Sequence, residues 1–314
     1  MSKSTNKPPQ VGKVNISYLS SDIDERYSDG KIEEDLLELF KGPGVQAKRE
    51  EILDKNPSWE QYYHLSPLRG SIVDWYDFRP ESSVLEIGAG CGAITESLVK
   101  KPIQVTALEL TLRRTLVNAY RNQNADNLEL LVGNLERMDS KDQYDYIVCV
   151  GVLEYAGTFI DHSSPYNEFL RLLAEKLKPS GRLLLAIENR LGLKYWAGAR
   201  EDHTGNFFDG LNQYPTEKKV QTFGRLELES LFAASSFKKA QFFYPFPDYK
   251  HARLIYSDGY HPGNGAEFPL NQLPTPTYDQ SRVVLFSEAL AMIALEDNNL
   301  FPQFSNSFLV EATV

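Results

Sequence analysis

A chain of 314 residues with 42% hydrophobic and 24% charged side chains can bury a sizeable core, which excludes a disordered protein. Its formal net charge of −10 counts against duplex nucleic acid as the main partner, because phosphate contacts call for a basic surface. The two cysteines, Cys91 and Cys149, fall in segments that read as core, and the five histidines are scattered, so neither a disulfide framework nor a metal site is expected.

Met1 to Gln10 is polar, lacks the apolar run of a signal peptide and reads as a disordered tail. Ile32–Phe40 has helical apolar spacing and is stopped by Gly42-Pro43-Gly44. Val45–Leu53 reads as a second helix, and Ser66-Pro67 opens a third through Ile72 and Trp75. Residues 1–80 are therefore expected as a helical lead-in or cap, and 81–314 as the main domain.

The pattern changes at Ser83. An apolar run ending at Ile87 leads into Gly88-Ala89-Gly90-Cys91-Gly92 and a helix, Ala93–Val99. Further strands are expected at Gln104–Leu108, Leu128–Val132, Tyr144–Val150 and Arg182–Ile187, with helices at Leu112–Arg121 and Tyr166–Leu177. Short apolar strands alternating with helices indicate parallel βαβ units with helices on both faces, a doubly wound α/β fold. A sixth strand, Lys239–Tyr244, and a last one, Ser307–Ala312, complete an expected seven. Irregular insertions are expected at about 188–222 and 245–303. The first carries Tyr195, Trp196, His203, Phe207, Phe208 and Tyr214; a loop of this length inside a compact domain reads as a lid or binding element. The most apolar helical stretch, Val283–Leu295, is interrupted by Ser287 and Glu288 and is too short to span a bilayer, so a cytoplasmic protein without a membrane span is expected.

The strongest chemical signal is Glu86-Ile87-Gly88-Ala89-Gly90-Cys91-Gly92 between strand and helix. Glycines there let the backbone approach a bound nucleoside without Cβ collisions. A plain tight turn would use the same residues, and Gly88, Gly90 and Ala93 also satisfy the G-x-G-x-x-G/A pattern of nicotinamide sites.

With its context, Val84–Ile187 resembles the class I S-adenosylmethionine-dependent methyltransferases. The matching features are Glu86 before the glycines, Glu109 closing the second strand, Asn134 closing the third, Asp145 in the fourth, and the Lys178–Gly181 turn before the fifth. The resemblance implies S-adenosylmethionine as cofactor and a Rossmann-like seven-stranded methyltransferase sheet, with the last strand antiparallel beside the fifth. It implies cofactor contacts from Glu86, Gly88, Gly90, Gly92, Glu109, Asn134, Leu135 and Gly151, with Glu109 accepting from both ribose hydroxyls.

Ligands of parallel sheets bind at the carboxyl ends of strands. Candidates for the acceptor side are therefore Glu154 and Tyr155, Glu188 and Asn189, and then Tyr195, His203 and Asp209. His203 leads as a base because an imidazole titrates near neutrality; Glu188 and Glu154 follow, and His162 reads as surface.

A narrower resemblance, carried by Ile187-Glu188-Asn189-Arg190, Gly192–Gly198 and Tyr244–Lys250, is to methyltransferases of bacterial surface-glycan assembly. It implies O-methylation of a sugar or other hydroxyl acceptor and polysaccharide biosynthesis, with a partner module or a second copy of the chain as possible company. The alternatives are a peptide, protein or secondary-metabolite acceptor, and a non-catalytic cofactor-binding module.

Overall fold

The computed structural model describes residues 9–20, 28–139, 141–215, 219–263, 265–266 and 281–314. The expected tail before residue 9, and most of the second irregular stretch between 264 and 278, lie outside them. The chain divides into two compact units, Met1–Tyr146 and Ile147–Val314.

In the first unit, β1 (Asn15–Tyr18), β2 (Ser83–Ile87), β3 (Gln104–Glu109) and β4 (Leu128–Val132) run parallel in the order β1-β4-β3-β2. The register sets Ile87 against Leu108 and Glu109 against Val132. The glycine turn after β2 and the ends of β3 and β4 therefore come together at one edge.

Helix Leu112–Arg121 starts at Thr111, whose hydroxyl accepts from the Arg114 N–H. It buries Val117 in a cluster with Leu36 and Phe40 of helix Lys31–Lys41, Leu65 and Cys91. Each large apolar side chain buried there contributes about 1.5–3 kcal/mol, so the lead-in helix is bound into the unit by its core face. Beside this cluster the buried Arg121 meets Glu96 at 2.7 Å and donates to the His64 carbonyl at 2.8 Å.

The lead-in is not wholly helical, since β1 joins the sheet beside β4. Val14 and Ile16 alternate inward over too few residues to give a clear period-two signal.

β5 (Tyr144–Val150) begins in the first unit and ends in the second. At its start, Asp145 accepts from both the backbone N–H and the hydroxyl of Ser83 at 2.9 Å.

The second unit adds β6 (Leu177–Glu188), β7 (Lys239–Phe246), β8 (Leu254–Ser257), the two-residue pair β9 (His261–Pro262) and β10 (Gly265–Ala266), and β11 (Ser307–Thr313). Its order is β5-β6-β11-β7-β8. β11 is antiparallel to both β6 and β7, as expected for the last strand. Leu183 to Ile187 are all fully buried, the continuous apolar run of a strand covered on both faces.

Among the described residues the strand count exceeds the expected seven. β1 extends the first unit and β8 extends the second, where Tyr244 pairs with Tyr256. The expected Lys178–Gly181 turn is instead the opening of β6, with Ser180 at a left-handed φ of 68°. The apolar helix runs Glu288–Asp297, and Ser287, read from sequence as an interruption, is its N-cap, accepting from the Leu290 N–H. No described helix is long and apolar enough to cross a membrane. Cys91 and Cys149 are both buried and unbridged.

Candidate functional site

Two groups of side chains stand out, one in each unit. In the first unit, Gly88, Gly90 and Gly92 have φ of 67°, 54° and 80°. A Cβ on Gly92 would come within 2.4 Å of Asn118 Oδ1, and one on Gly90 within 2.9 Å of an Arg114 guanidinium nitrogen. All three positions therefore favour glycine for conformation, and Gly92 needs it for space as well.

Glu109, buried at the end of β3, ties the turn down. Its Oε2 accepts the Gly90 N–H at 2.9 Å, and its Oε1 accepts the Thr111 N–H at 3.1 Å. The Thr111 hydroxyl also reaches Oε1, at a long 3.4 Å. A carboxylate offers about four lone-pair directions, so one remains open on Oε2 for a hydroxyl donor, and the long Thr111 hydroxyl bond is the one that a second donor would replace. Glu86 lies beneath. It accepts from the Thr95 hydroxyl at 2.6 Å, and Asn118 in turn donates to that hydroxyl. Burial, with the charge of Glu109 added, pushes the Glu86 carboxyl up to about 8, so it is protonated at neutral pH.

Next to this, the Gly133 N–H donates to the Glu109 carbonyl. Asn134 is half-buried, and its Oδ1 accepts from the Glu136 N–H at 3.0 Å, capping the short turn that holds Leu135. The first unit thus gathers seven of the eight expected cofactor residues. Gly151 belongs to the second unit, where a Cβ would lie 2.8 Å from the Tyr249 hydroxyl.

In the second unit, three of the expected acceptor-side residues, those ranked first as acid–base candidates, meet. Glu154 follows β5, Glu188 ends β6, and His203 comes from the 188–222 segment. One potential ligand atom of each lies within 4.8 Å of the other two. His203 Nε2 stands 3.5 Å from Glu188 Oε2, and its Nδ1 is 3.2 Å from the Tyr155 hydroxyl.

The segment bearing His203 is pinned by Glu201, which accepts the backbone N–H groups of His203 and Thr204 at 2.8 and 2.7 Å and the Tyr214 hydroxyl at 3.1 Å. Tyr195 is buried close by, while Asp209 accepts from Asn206 and His162 is exposed.

Behind the cluster, the Lys250 ammonium bonds Glu188 Oε1 and Asp202, and the Tyr249 hydroxyl donates to the same Glu188 oxygen at 3.2 Å. Lys194 bridges Asp202 and Asp248 at 2.8 and 3.2 Å. Asn189 does not face this cluster; its amide donates to the carbonyls of Gln303 and Ser305.

Electrostatics divide the three groups. Burial alone would raise the Glu188 carboxyl, but the charges of Lys250 and His203 outweigh it and hold the group well below the usual range. Burial and then the Glu188 charge push Glu154 up to about 8. Burial opposes the His203 charge, yet Glu188 and Glu154 raise it to about 9. At neutral pH His203 is therefore an imidazolium, not the ready proton acceptor that its ordinary titration range suggests.

Lys250, Asp248, Tyr249, Lys194 and Asp202 received no role from sequence. The signal was present in part: Glu188 lies in the Ile187–Arg190 motif, Lys194 in Gly192–Gly198, and Asp248 to Lys250 in Tyr244–Lys250, and the fold brings these three segments together.

Residues 85–183 match the sequence profile of a family described as a methyltransferase domain. Among curated proteins the chain is 22% identical over 190 residues to a ubiquinone biosynthesis O-methyltransferase of Rickettsia conorii, covering 60% of this chain and 63% of that one. It is 24% identical to the protein of the same name from Nitrosospira multiformis, covering 66% and 85%. The chain spans 63% of the length of the Rickettsia conorii protein and 56% of its Rickettsia bellii counterpart.

Among solved structures it is similar to a SAM-dependent methyltransferase, possible histamine N-methyltransferase, of Thermotoga maritima, with 16% identity, a TM-score of 0.46 and coverage of 88% and 99%. It is also similar to a Haemonchus contortus phosphoethanolamine N-methyltransferase in complex with phosphomonomethylethanolamine and S-adenosylhomocysteine, with 13% identity, a TM-score of 0.44 and coverage of 88% and 55%. The parallel strands with an antiparallel β11 between β6 and β7 make the fold mixed α/β and Rossmann-like.

Proposed function

We propose that this chain is an enzyme that takes the methyl group of S-adenosylmethionine and passes it to a hydroxyl oxygen. The observation that carries the reading is Glu109: a buried carboxylate that closes β3, holds the glycine turn through the Gly90 N–H and keeps an acceptor direction on Oε2 for a ribose hydroxyl. Charge-assisted bonds of that kind contribute about 1.5–3 kcal/mol each.

Methyl transfer is an in-line displacement at carbon. A bond forms between the acceptor oxygen and the methyl carbon as the carbon–sulfur bond breaks. Its electron pair leaves with S-adenosylhomocysteine, and the hydroxyl proton is released. The sulfonium is already a good leaving group, so the protein's work is alignment and removal of that proton. In this reading the Glu154–Glu188–His203 group, at the ends of β5 and β6 and in the adjoining segment, is the acid–base machinery.

A hydroxyl acceptor agrees with the O-methyltransferase name of the curated relatives. The sugar acceptor rests only on the three motif segments, with the exposed Trp196 and half-buried Phe207 as rings that would stack on a pyranose.

The test is calorimetric titration of the chain with S-adenosylhomocysteine, using NAD as the control, followed by transfer of labelled methyl from S-adenosylmethionine to panels of phenolic and sugar hydroxyls. Product binding with turnover on one panel supports the reading and selects the acceptor class. Product binding with no transfer to either panel favours a cofactor-binding module, and binding of NAD alone overturns the reading.

A further inference from the structure

We propose that Glu154, Glu188 and His203 form a binding site for one divalent transition-metal ion, Zn²⁺ being the ion that best fits their chemistry. Ligand bonds of about 2.0–2.2 Å place neighbouring donors on a tetrahedral ion roughly 3.3–3.6 Å apart. His203 Nε2 and Glu188 Oε2 stand 3.5 Å apart, a separation longer than a good hydrogen bond and suited to two ligands of one ion. The Glu154 carboxylate completes the trio, with one atom of each residue inside the common 4.8 Å.

An independent observation points the same way. Among the described residues, Glu154 Oε2, Glu188 Oε2 and His203 Nε2 are all buried and none has a hydrogen-bond partner. An orphaned buried polar atom costs about 1–3 kcal/mol. A single cation serves two carboxylates and an imidazole at once, where a hydrogen-bond donor serves one.

The remaining atoms of these side chains are already held, as outer partners hold metal ligands. Tyr155 meets His203 Nδ1, so the ring can present Nε2 to an ion while Nδ1–H donates to the phenol oxygen. Lys250 and Tyr249 hold Glu188 Oε1, which leaves Oε2 as a single-oxygen ligand. The charge of Lys250 is shared with Asp202 and Asp248, and these carboxylates also pair with Lys194. Two lysines balance two aspartates. On binding, the ion displaces the Nε2 proton of His203 and the proton of Glu154 to solvent, and the two carboxylates then match its two charges.

One nitrogen and two carboxylate oxygens suit Zn²⁺ better than Mg²⁺ or Ca²⁺. Three protein ligands leave a position for a water or hydroxyl oxygen, whose proton the ion would loosen. That last step rests on the methyl-transfer reading; the site does not.

The experiment is titration of the chelator-stripped full chain with Zn²⁺ by calorimetry, and with Co²⁺ by visible absorption, each repeated on Glu154→Gln, His203→Gln and the surface control His162→Gln. The expected result is one equivalent in the wild type and in His162→Gln, with at least tenfold weaker binding in the other two. Less than a tenth of an equivalent in the wild type overturns the site whatever the variants do. Affinity unchanged in folded Glu154→Gln and His203→Gln overturns it too, by placing the ion elsewhere. S-adenosylhomocysteine affinity, measured on the same stripped protein, reports separately on the methyl-transfer reading, so either claim can fall alone.

Discussion

In the proposed reading Glu109 stands under two demands, since the carboxylate that braces the glycine turn must also receive the ribose. Glu109→Gln keeps the shape and one acceptor oxygen but loses the charge. It is expected to weaken S-adenosylhomocysteine binding roughly ten- to hundredfold, matching about 1.5–3 kcal/mol, as read by calorimetric titration.

Glu86, one strand away, gives a prediction with a sign. Its folded pKa of about 8 lies above its ordinary value of 4.5. Between those limits the folded chain holds a proton that the unfolded chain has lost, so this group makes stability fall as pH rises, by roughly 1.4 kcal/mol per pH unit. Urea unfolding of Glu86→Gln should therefore gain on the wild type steadily from pH 5 to pH 8 and no further above it. A constant difference across that range would show Glu86 to be ionised in the folded state. Single residues were legible in sequence where position and type agreed, as at Glu109 after a strand or Glu188 at the end of an apolar run. Lys250 was not, because nothing local distinguishes a buried lysine from a surface one until Asp202 and Asp248 are seen around it.

Elements show where periodicity suffices and where it fails. The five core strands from β2 to β6 could be placed because short, mostly apolar runs bounded by turn residues alternate with helical stretches. β1 and β8 escaped notice, being four residues each and drawing their order from a neighbour rather than from their own pattern. The loop from Glu188 to Thr222 looked structureless because its organiser is a side chain: Glu201 collects two backbone N–H groups and a tyrosine hydroxyl.

The glycine turn and the helix Leu112–Arg121 depend on each other, since Gly92 packs against Asn118 with no space for a methyl group. Gly92→Ala meets both a left-handed φ and a 2.4 Å contact, and should destabilise the chain by about 2–4 kcal/mol in urea unfolding. Arg121→Met removes one of the two buried arginine partners of Glu96 and two carbonyl contacts; a loss of about 2–4 kcal/mol is expected, below the cost of a fully buried pair because Glu96 keeps Arg49 and reaches solvent.

At the scale of the whole molecule, ligand binding and stability are linked. S-adenosylhomocysteine at about a hundred times its dissociation constant should stabilise the protein by roughly 2.7 kcal/mol and raise its calorimetric unfolding temperature by several degrees, whereas NAD should leave it unchanged. The placement of β11 has a further consequence, in the order of manufacture. Its partner β6 leaves the ribosome about 120 residues earlier, so at roughly 5–20 residues per second the fully buried Leu183–Ile187 run waits on the order of ten seconds for the strand that covers its edge. During translation this segment is an open, apolar β edge, and the nascent chain should engage holding chaperones until the last strand arrives.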